Sequence, residues 1–82
     1  MEKEKKTPKR PLVALMKSVN NYVIVRLKND VEYRGRLDKC DSYMNLILKD
    51  ATEYRSDEPV AEYGNVFIRG NNIIFVRIDA SP

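Results

Sequence analysis

The sequence predicts a mainly β protein, with one short N-terminal helix followed by five antiparallel strands in a strongly bent, open barrel. Apolar residues recur at helical spacing only at Leu12, Leu15, Met16 and Val19, directly after a proline that can begin a helix. From Tyr22 onward, apolar and polar residues alternate as they do along a strand with one buried face. A chain of 82 residues has room for one such domain.

The predicted strands are separated by short polar segments. They span residues 22–28, 31–40, 43–54, 60–70 and 73–78. Asn29 and Asp30 tolerate positive φ, so they predict a tight turn between the first two strands. Gly35 lies in mid-strand, which indicates a bulge, a bend or a close backbone approach. The charged residues 55–59 are predicted to form a loop. A bent meander of this kind curls into an open barrel capped by the helix.

The last two strands are the predicted edges of the sheet, and both are apolar on two faces. Their apolar residues include Val66, Phe67, Ile68, Ile74, Phe75 and Val76. A run that is apolar on both faces is expected where both faces are covered, and five strands provide too little material to do so. We therefore expect another copy to pair edge to edge. The two edges differ, so the contact is head-to-tail and can close into a ring. A monomeric barrel with an apolar edge is the alternative.

The net charge of +3 lies in the N-terminal segment. Residues 1–10 carry five basic and two acidic side chains, and the other 72 residues carry ten of each. Bulk charge therefore gives no argument that the folded part binds a polyanion. The N-terminal segment is interpreted as a flexible, solubilising arm, and a weak electrostatic contact to phosphate is the second interpretation.

The composition argues against catalysis and metal binding. The chain has no histidine and a single cysteine, Cys40, so we expect no intrachain disulfide, no metal or other cofactor and no enzymatic activity. Ser42 has no general base beside it, and Cys40 is expected to be a half-buried strand residue. No apolar segment resembles a signal peptide or a membrane span, so we expect an intracellular, soluble protein in the cytoplasm.

Polar residues of unusual chemistry occur at two strand–loop junctions. The first junction carries Asp41, Tyr43 and Asn45, and the second carries Arg69, Gly70 and Asn71. In a small barrel, two such junctions can meet at one rim.

These residues together suit a single-stranded base. The Tyr43 ring can stack on a base, and the Arg69 guanidinium can cover its other side or contact phosphate. The Asn45 amide can recognise a pyrimidine edge, Asp41 can orient that amide, and Gly70 permits a tight turn. Each residue alone also has an ordinary explanation as packing, turn chemistry or a solvated charge. The combination is more specific than its members.

Two segments resemble the signatures of the Sm and Sm-like (LSm) proteins. "GRLDKCDSYMNLILKDA" resembles the first signature, and "YGNVFIRGNNIIFV" resembles the second. Together with the helix they span about residues 10–78, and the short loop between the third and fourth strands is most similar to the archaeal Sm-like proteins. The expected organisation is a flexible tail at 1–9, an Sm domain at 10–79 and a C-terminal tail at 80–82.

The resemblance implies an SH3-like open barrel that assembles into rings, usually of seven, through the fourth strand of one copy and the fifth of the next. It also implies that Tyr43 stacks on uracil, Asn45 hydrogen-bonds it, Arg69 closes the pocket and Asp41 orients Asn45, with the pockets lining a central pore. A second family site on the helix face would involve Arg10, Met16 and Cys40, and of these only Arg10 offers an obvious RNA contact.

The sequence therefore predicts a homo-oligomeric, heptameric ring that binds single-stranded, uridine-rich RNA, as a ribonucleoprotein core or RNA chaperone with other RNA-processing proteins as further partners. The first alternative is a structural ring that organises protein partners and binds little RNA itself. A monomeric SH3-like module for duplex DNA would require a basic sheet face, which the neutral balance after residue 10 disfavours.

Overall fold

The computed structural model describes residues 11–78, and side chains from Val13 onward. The elements are α1 (Pro11–Met16), β1 (Tyr22–Leu27), β2 (Val31–Cys40), β3 (Leu46–Arg55), β4 (Glu58–Ile68) and β5 (Ile73–Ile78). The five strands form one antiparallel sheet in the order β4-β3-β2-β1-β5, and the sheet is open because β4 and β5 are its edges. This confirms the predicted fold class, and the predicted edge strands are the observed ones.

The sheet wraps around a small apolar core. Its largest fully buried side chains are Leu15, Val23, Val25, Leu37, Leu46 and Leu48. Leu15 comes from the helix and closes the core, while Met16 and Val19 are exposed. The helix ends at Met16, earlier than the apolar spacing predicted, because residues 17–21 turn back toward β2. The amide of Leu37 donates to the Asn21 carbonyl, and the Asn20 amide donates to the Leu37 carbonyl.

Gly35 produces the predicted irregularity in β2. The pairing register of β2 with β3 shifts between Arg34 and Arg36, as at a β-bulge. A Cβ atom on Gly35 would lie 2.9 Å from the Lys49 carbonyl oxygen and 3.0 Å from Ala51 Cα. Only glycine allows this close approach of the two backbones, so the prediction from Gly35 is confirmed.

Two turns at the same end of the sheet differ in how well the sequence predicted them. Asn29 and Asp30 adopt φ angles of 69° and 61°, as the predicted tight turn requires. The predicted charged loop at 55–59 is wrong. Strands β3 and β4 are joined by Ser56 and Asp57 alone, both at positive φ, because a two-residue turn of this kind matches the twist of the strands.

The edge strands present only part of the predicted apolar interface. Phe67, Ile74 and Phe75 have 63%, 59% and 49% of their surfaces exposed. The other three predicted residues face inward: Ile68 is buried, and Val66 and Val76 pack partly buried against the core. Strand alternation explains this division, because Val66 and Ile68 lie opposite the buried Leu48 and Leu46.

The predicted tails at 1–9 and 80–82, the domain ends at residues 10 and 79, and Arg10 lie outside the described residues. Within the described part, no helix has the length and apolar character needed to span a membrane.

Candidate nucleic-acid interface

Two loops meet at one end of the sheet. Loop 41–45 leads into β3 and loop 69–72 follows β4, and the strand residues next to them, Leu46 and Ile68, are paired. The Gly70 amide donates a 2.8 Å hydrogen bond to Asn45 Oδ1. A Cβ atom on Gly70 would collide with the Tyr43 carbonyl oxygen and lie 3.0 Å from the Met44 carbonyl. The contact between the loops therefore depends on the missing side chain of Gly70.

Asp41 organises the first loop. Its Oδ1 accepts hydrogen bonds from the amides of Tyr43 at 2.8 Å and Asn45 at 3.0 Å. Its Oδ2 accepts a 3.0 Å hydrogen bond from Asn45 Nδ2. These bonds, first that from the Asn45 side chain, hold the pKa of Asp41 below its usual value. Asp41 is therefore a charged acceptor that favours one conformation of the loop.

The Asn45 side-chain amide is fixed at both ends. Its oxygen accepts from Gly70, and its nitrogen donates to Asp41. Rotating the amide by half a turn would place NH₂ against the Gly70 N–H and oxygen against the Asp41 carboxylate, so only one orientation satisfies both partners. One Nδ2–H and one lone pair of Oδ1 remain. The site therefore holds a donor and an acceptor side by side in a defined order.

Tyr43 and Arg69 add a flat ring and a planar cation to the same loops. Tyr43 is 79% exposed, and Arg69 is also exposed. The Arg69 guanidinium makes no hydrogen bond or ion pair with any described residue. The Arg69 carbonyl accepts from the Asn72 amide in the short 3-10 turn that also contains Asn71. The backbone is ordered by these bonds, while the side chains of Tyr43 and Arg69 are accessible to the solvent.

The profile of the LSM domain matches residues 13–78 of the sequence. This chain belongs to the LSM domain family. It is 49% identical over 69 residues to an Sm-like protein of Archaeoglobus fulgidus, an alignment that covers 84% of this chain and 90% of the relative. The resemblance to the Sm and Sm-like proteins is thus confirmed.

Two solved structures are similar to this LSM-domain chain. A Pyrococcus abyssii Sm protein in complex with a uridine heptamer superimposes with a TM-score of 0.83 at 37% identity, covering 87% of this chain and all of the other. A heptameric archaeal Sm protein superimposes with a TM-score of 0.75 at 31% identity, covering 82% of this chain and 97% of the other.

In the LSM-domain chain, all six predicted site residues lie in the two adjoining loops. Asn45 is hydrogen-bonded to both Asp41 and Gly70, as described above. The Tyr43 carbonyl oxygen occupies the space that a Cβ atom on Gly70 would need. Arg69 and Asn71 flank Gly70 along the chain. The structure brings the predicted cluster together, and its role in binding RNA is a proposal.

The sequence did not predict the irregular backbone at Met44. The predicted third strand began at residue 43, but Met44 has a φ of 66°, which ends the strand pattern, and β3 begins only at Leu46. Met44 is half-buried against the core and joins the two residues that carry the ring and the amide. Asp41 was the available signal, because an aspartate that accepts from the amide two residues ahead forms an Asx turn.

The helix face provides fewer candidate RNA contacts than the two loops. Cys40 is half-buried against the core as expected, and burial followed by the nearby Asp41 raises its pKa. Met16 is exposed, and Arg10 lies outside the described residues. Residues 11–78 contain no group of three or more cysteine or acidic side chains placed to hold a metal ion.

Proposed function

We propose that this LSM-domain protein binds single-stranded, uridine-rich RNA, with one base in each pocket formed by loops 41–45 and 69–72. It would act as a ribonucleoprotein core or RNA chaperone in RNA processing. The observation that carries this proposal is the Asn45 amide held between Asp41 and Gly70. The role proposed is one of binding, because the Asn45 amide, the Tyr43 ring and the Arg69 guanidinium are groups that can recognise a base.

The fixed amide accounts for base selection. Uracil carries an N3–H donor next to a carbonyl acceptor, which complements the remaining acceptor and donor of Asn45. Cytosine has an acceptor in place of N3–H, and the Asn45 amide cannot rotate to compensate without losing Asp41 and Gly70. Stacking on Tyr43, with Arg69 on the other side, would add about 1–3 kcal/mol per base for any base. Stacking thus supplies affinity, and the amide supplies selectivity.

We further propose that the protein forms a ring, and that the ring has seven members. The two sheet edges differ, and both expose apolar side chains: Phe67 on β4, and Ile74 and Phe75 on β5. This supports head-to-tail pairing of one copy's β4 with the next copy's β5. The similarity to a heptameric Sm protein supports the number. A ring would also raise the effective concentration of each successive pocket once one base is bound, so weak single sites give tight binding.

Assembly is tested by placing a charge on the exposed edge. Phe75→Asp is expected to convert the ring to smaller species, because edge pairing would bury an unpaired carboxylate. Size-exclusion chromatography with light scattering measures the mass. Lys28→Gln, in the turn between β1 and β2, is the control, because it lowers the net charge by the same amount away from the edges. A Phe75→Asp ring of unchanged mass would contradict edge pairing.

RNA binding is tested by fluorescence anisotropy with heptamers of uridine, cytidine and adenosine at two salt concentrations. We expect uridine to bind at least about tenfold more tightly than the other two, since the Asn45 hydrogen bonds distinguish the bases. Equal binding of all three that disappears at high salt would contradict the pocket. Charge attraction would then be the sole cause of binding, and the structural ring scaffold would be favoured.

A further inference from the structure

The outer face of the sheet, opposite the core, carries cations close to the two loops. Directly paired residues of adjacent strands lie on the same face of a sheet. One such row crosses four strands and consists of Tyr22, Arg36, Lys49 and Asn65. The next pair toward the loops adds Lys39 opposite Ile47. We call Arg36, Lys39 and Lys49 the basic strip, and all three are exposed.

The charge of the basic strip is poorly neutralised. Arg36 lies directly opposite Lys49, an arrangement of like charges that disfavours the sheet. Lys49 reaches Asp38 at 3.5 Å, whereas Arg36 and Lys39 form no ion pair within residues 11–78. Arg36 and Lys39 gain no ion pair from this placement, so an external anion offers a physical reason for the cluster.

In the other half of the same face, the arginines of the inner strands are paired within the fold. Glu32 accepts from Arg34 at 2.6 Å and lies 3.4 Å from Arg26. Arg34 also stacks over the Tyr54 ring at 3.9 Å, and Arg26 is 3.5 Å from Asp30. Arg26 and Arg34 are therefore used within the fold. Arg77, opposite Ile24 on the edge strand β5, forms no ion pair within residues 11–78. On the inner strands β2 and β3, the unpaired cations of this face, Arg36 and Lys39, lie in the half next to loops 41–45 and 69–72.

The basic strip is continuous with the proposed pocket and stays accessible in a ring. Lys49 is four residues after Asn45, about 13 Å along an extended strand. The three cations lie on β2 and β3, which are inner strands of the sheet. Assembly through the β4 and β5 edges would therefore leave the basic strip uncovered.

We propose that the basic strip binds the phosphates of the RNA chain that continues beyond the base in the pocket. The contact is independent of sequence, because the cations face the solvent and can meet phosphate oxygens. The proposal rests on the proposed function for the identity of its ligand. It adds a second contact on the outer face that extends the bound length of RNA.

The test compares a uridine heptamer, the same heptamer extended by about ten cytidines, and a cytidine oligomer alone. An extension of about ten nucleotides is within the size range of single-strand binding sites. The extension is expected to tighten binding to the parent protein by about threefold or more at low salt. Arg36→Gln and Lys49→Gln are each expected to remove most of that gain. The slope of log Kd against log salt should become shallower by about 0.7 for each phosphate that the variant no longer binds.

Lys28→Gln is the matched control, because Lys28 is exposed in the turn at the far end of the sheet and its replacement changes the charge equally. It should keep the gain from the extension, as should Asn45→Ala, which removes the uridine preference and leaves the cations of the basic strip in place. Thermal unfolding by circular dichroism checks that every variant is folded.

The outcomes separate the two proposals. The proposal for the basic strip would be overturned if the extension did not tighten binding to the parent. It would also be overturned if the Arg36→Gln and Lys49→Gln variants kept both the gain in affinity and the salt slope. If the parent shows no uridine preference while the cytidine oligomer still depends on Arg36 and Lys49, the pocket fails and the basic strip stands.

Discussion

The two ends of β3 carry two carboxylates that are used in different ways. Near its end, Glu53 is 7% exposed and accepts hydrogen bonds from Tyr33 Oη at 3.2 Å, Tyr63 Oη at 3.1 Å and Arg55 Nε at 2.9 Å. Before its start, Asp41 is exposed and holds the Asn45 amide. Hydrogen bonds lower the pKa of both carboxylates, led by the Arg55 bond at Glu53 and the Asn45 bond at Asp41.

The difference lies in what each cluster leaves unused. The tyrosine rings at Glu53 are 6.3 Å apart, and both hydroxyls donate to the same oxygen, so the cluster is closed on itself and ties β2, β3 and β4 together. The Asp41 cluster fixes Asn45 but leaves one donor and one acceptor of its amide. A saturated polar cluster stabilises a fold, whereas a cluster with fixed but unused groups can recognise a ligand.

The largest expected effect comes from Glu53→Ala. This change leaves two tyrosine hydroxyls and the Arg55 guanidinium without their acceptor, so the free energy of unfolding should fall by about 1–3 kcal/mol. Glu62→Ala, at an exposed position of β4, is the control and should change it by less than about 0.5 kcal/mol. Urea unfolding measures both. Uridine affinity of the folded variant should stay at the parent value, and a selective loss of affinity without loss of stability would reverse the roles of the two clusters.

Gly70→Ala is expected to have the next largest effect, and on binding rather than on stability. The new methyl group must push loop 69–72 away from the Tyr43 and Met44 carbonyls, which breaks the Gly70 hydrogen bond to Asn45. Uridine affinity should fall by about tenfold, a loss of about 1.4 kcal/mol. Gly64→Ala is the control, because a Cβ there meets no described atom within 4 Å. Equal affinities of the two variants in anisotropy would show that the Asn45 amide does not need the Gly70 hydrogen bond to bind uridine.

The smallest expected effect is a pH dependence of stability. The pKa of Glu53 is lowered from its ordinary value of 4.5, so the folded state binds fewer protons than the unfolded state. The stabilisation is complete above pH 4.5 and is lost as the pH falls through the lowered pKa of the folded protein. Urea unfolding across this range should show a steeper acid loss for the parent than for Glu53→Gln. Parallel curves would mean that Glu53 has the same pKa in both states.

The sequence predicted the parts of the fold that depend on local pattern. Alternation located the strands, and Gly35 located the bulge, since both signals arise from neighbouring residues. The turn at Ser56 and Asp57 was missed because a run of charges suggested a loop, although Arg55 bonds to Glu53 within the hairpin. Met44 was missed because its apolar side chain fits a strand while its φ does not.

The candidate site could also be predicted only in part from the sequence. Its six residues could be selected from their chemistry and from the family resemblance, and the Asp41 hydrogen bond to Asn45 spans only four residues. The hydrogen bond from Gly70 joins residues 25 positions apart, so it depends on the register between β3 and β4. No local pattern reports that register, and the second fixed end of the Asn45 amide became visible only in the folded chain.

The most direct test of the account is the affinity of the parent and Asn45→Ala proteins for heptamers of uridine and of N3-methyluridine. The methyl group removes the N3–H donor and retains a ring that can stack. We expect the parent to bind uridine at least about tenfold more tightly than N3-methyluridine, because one hydrogen bond is absent at every occupied pocket, and Asn45→Ala to bind both equally. Equal affinity of the parent for the two heptamers would contradict recognition by the Asn45 amide.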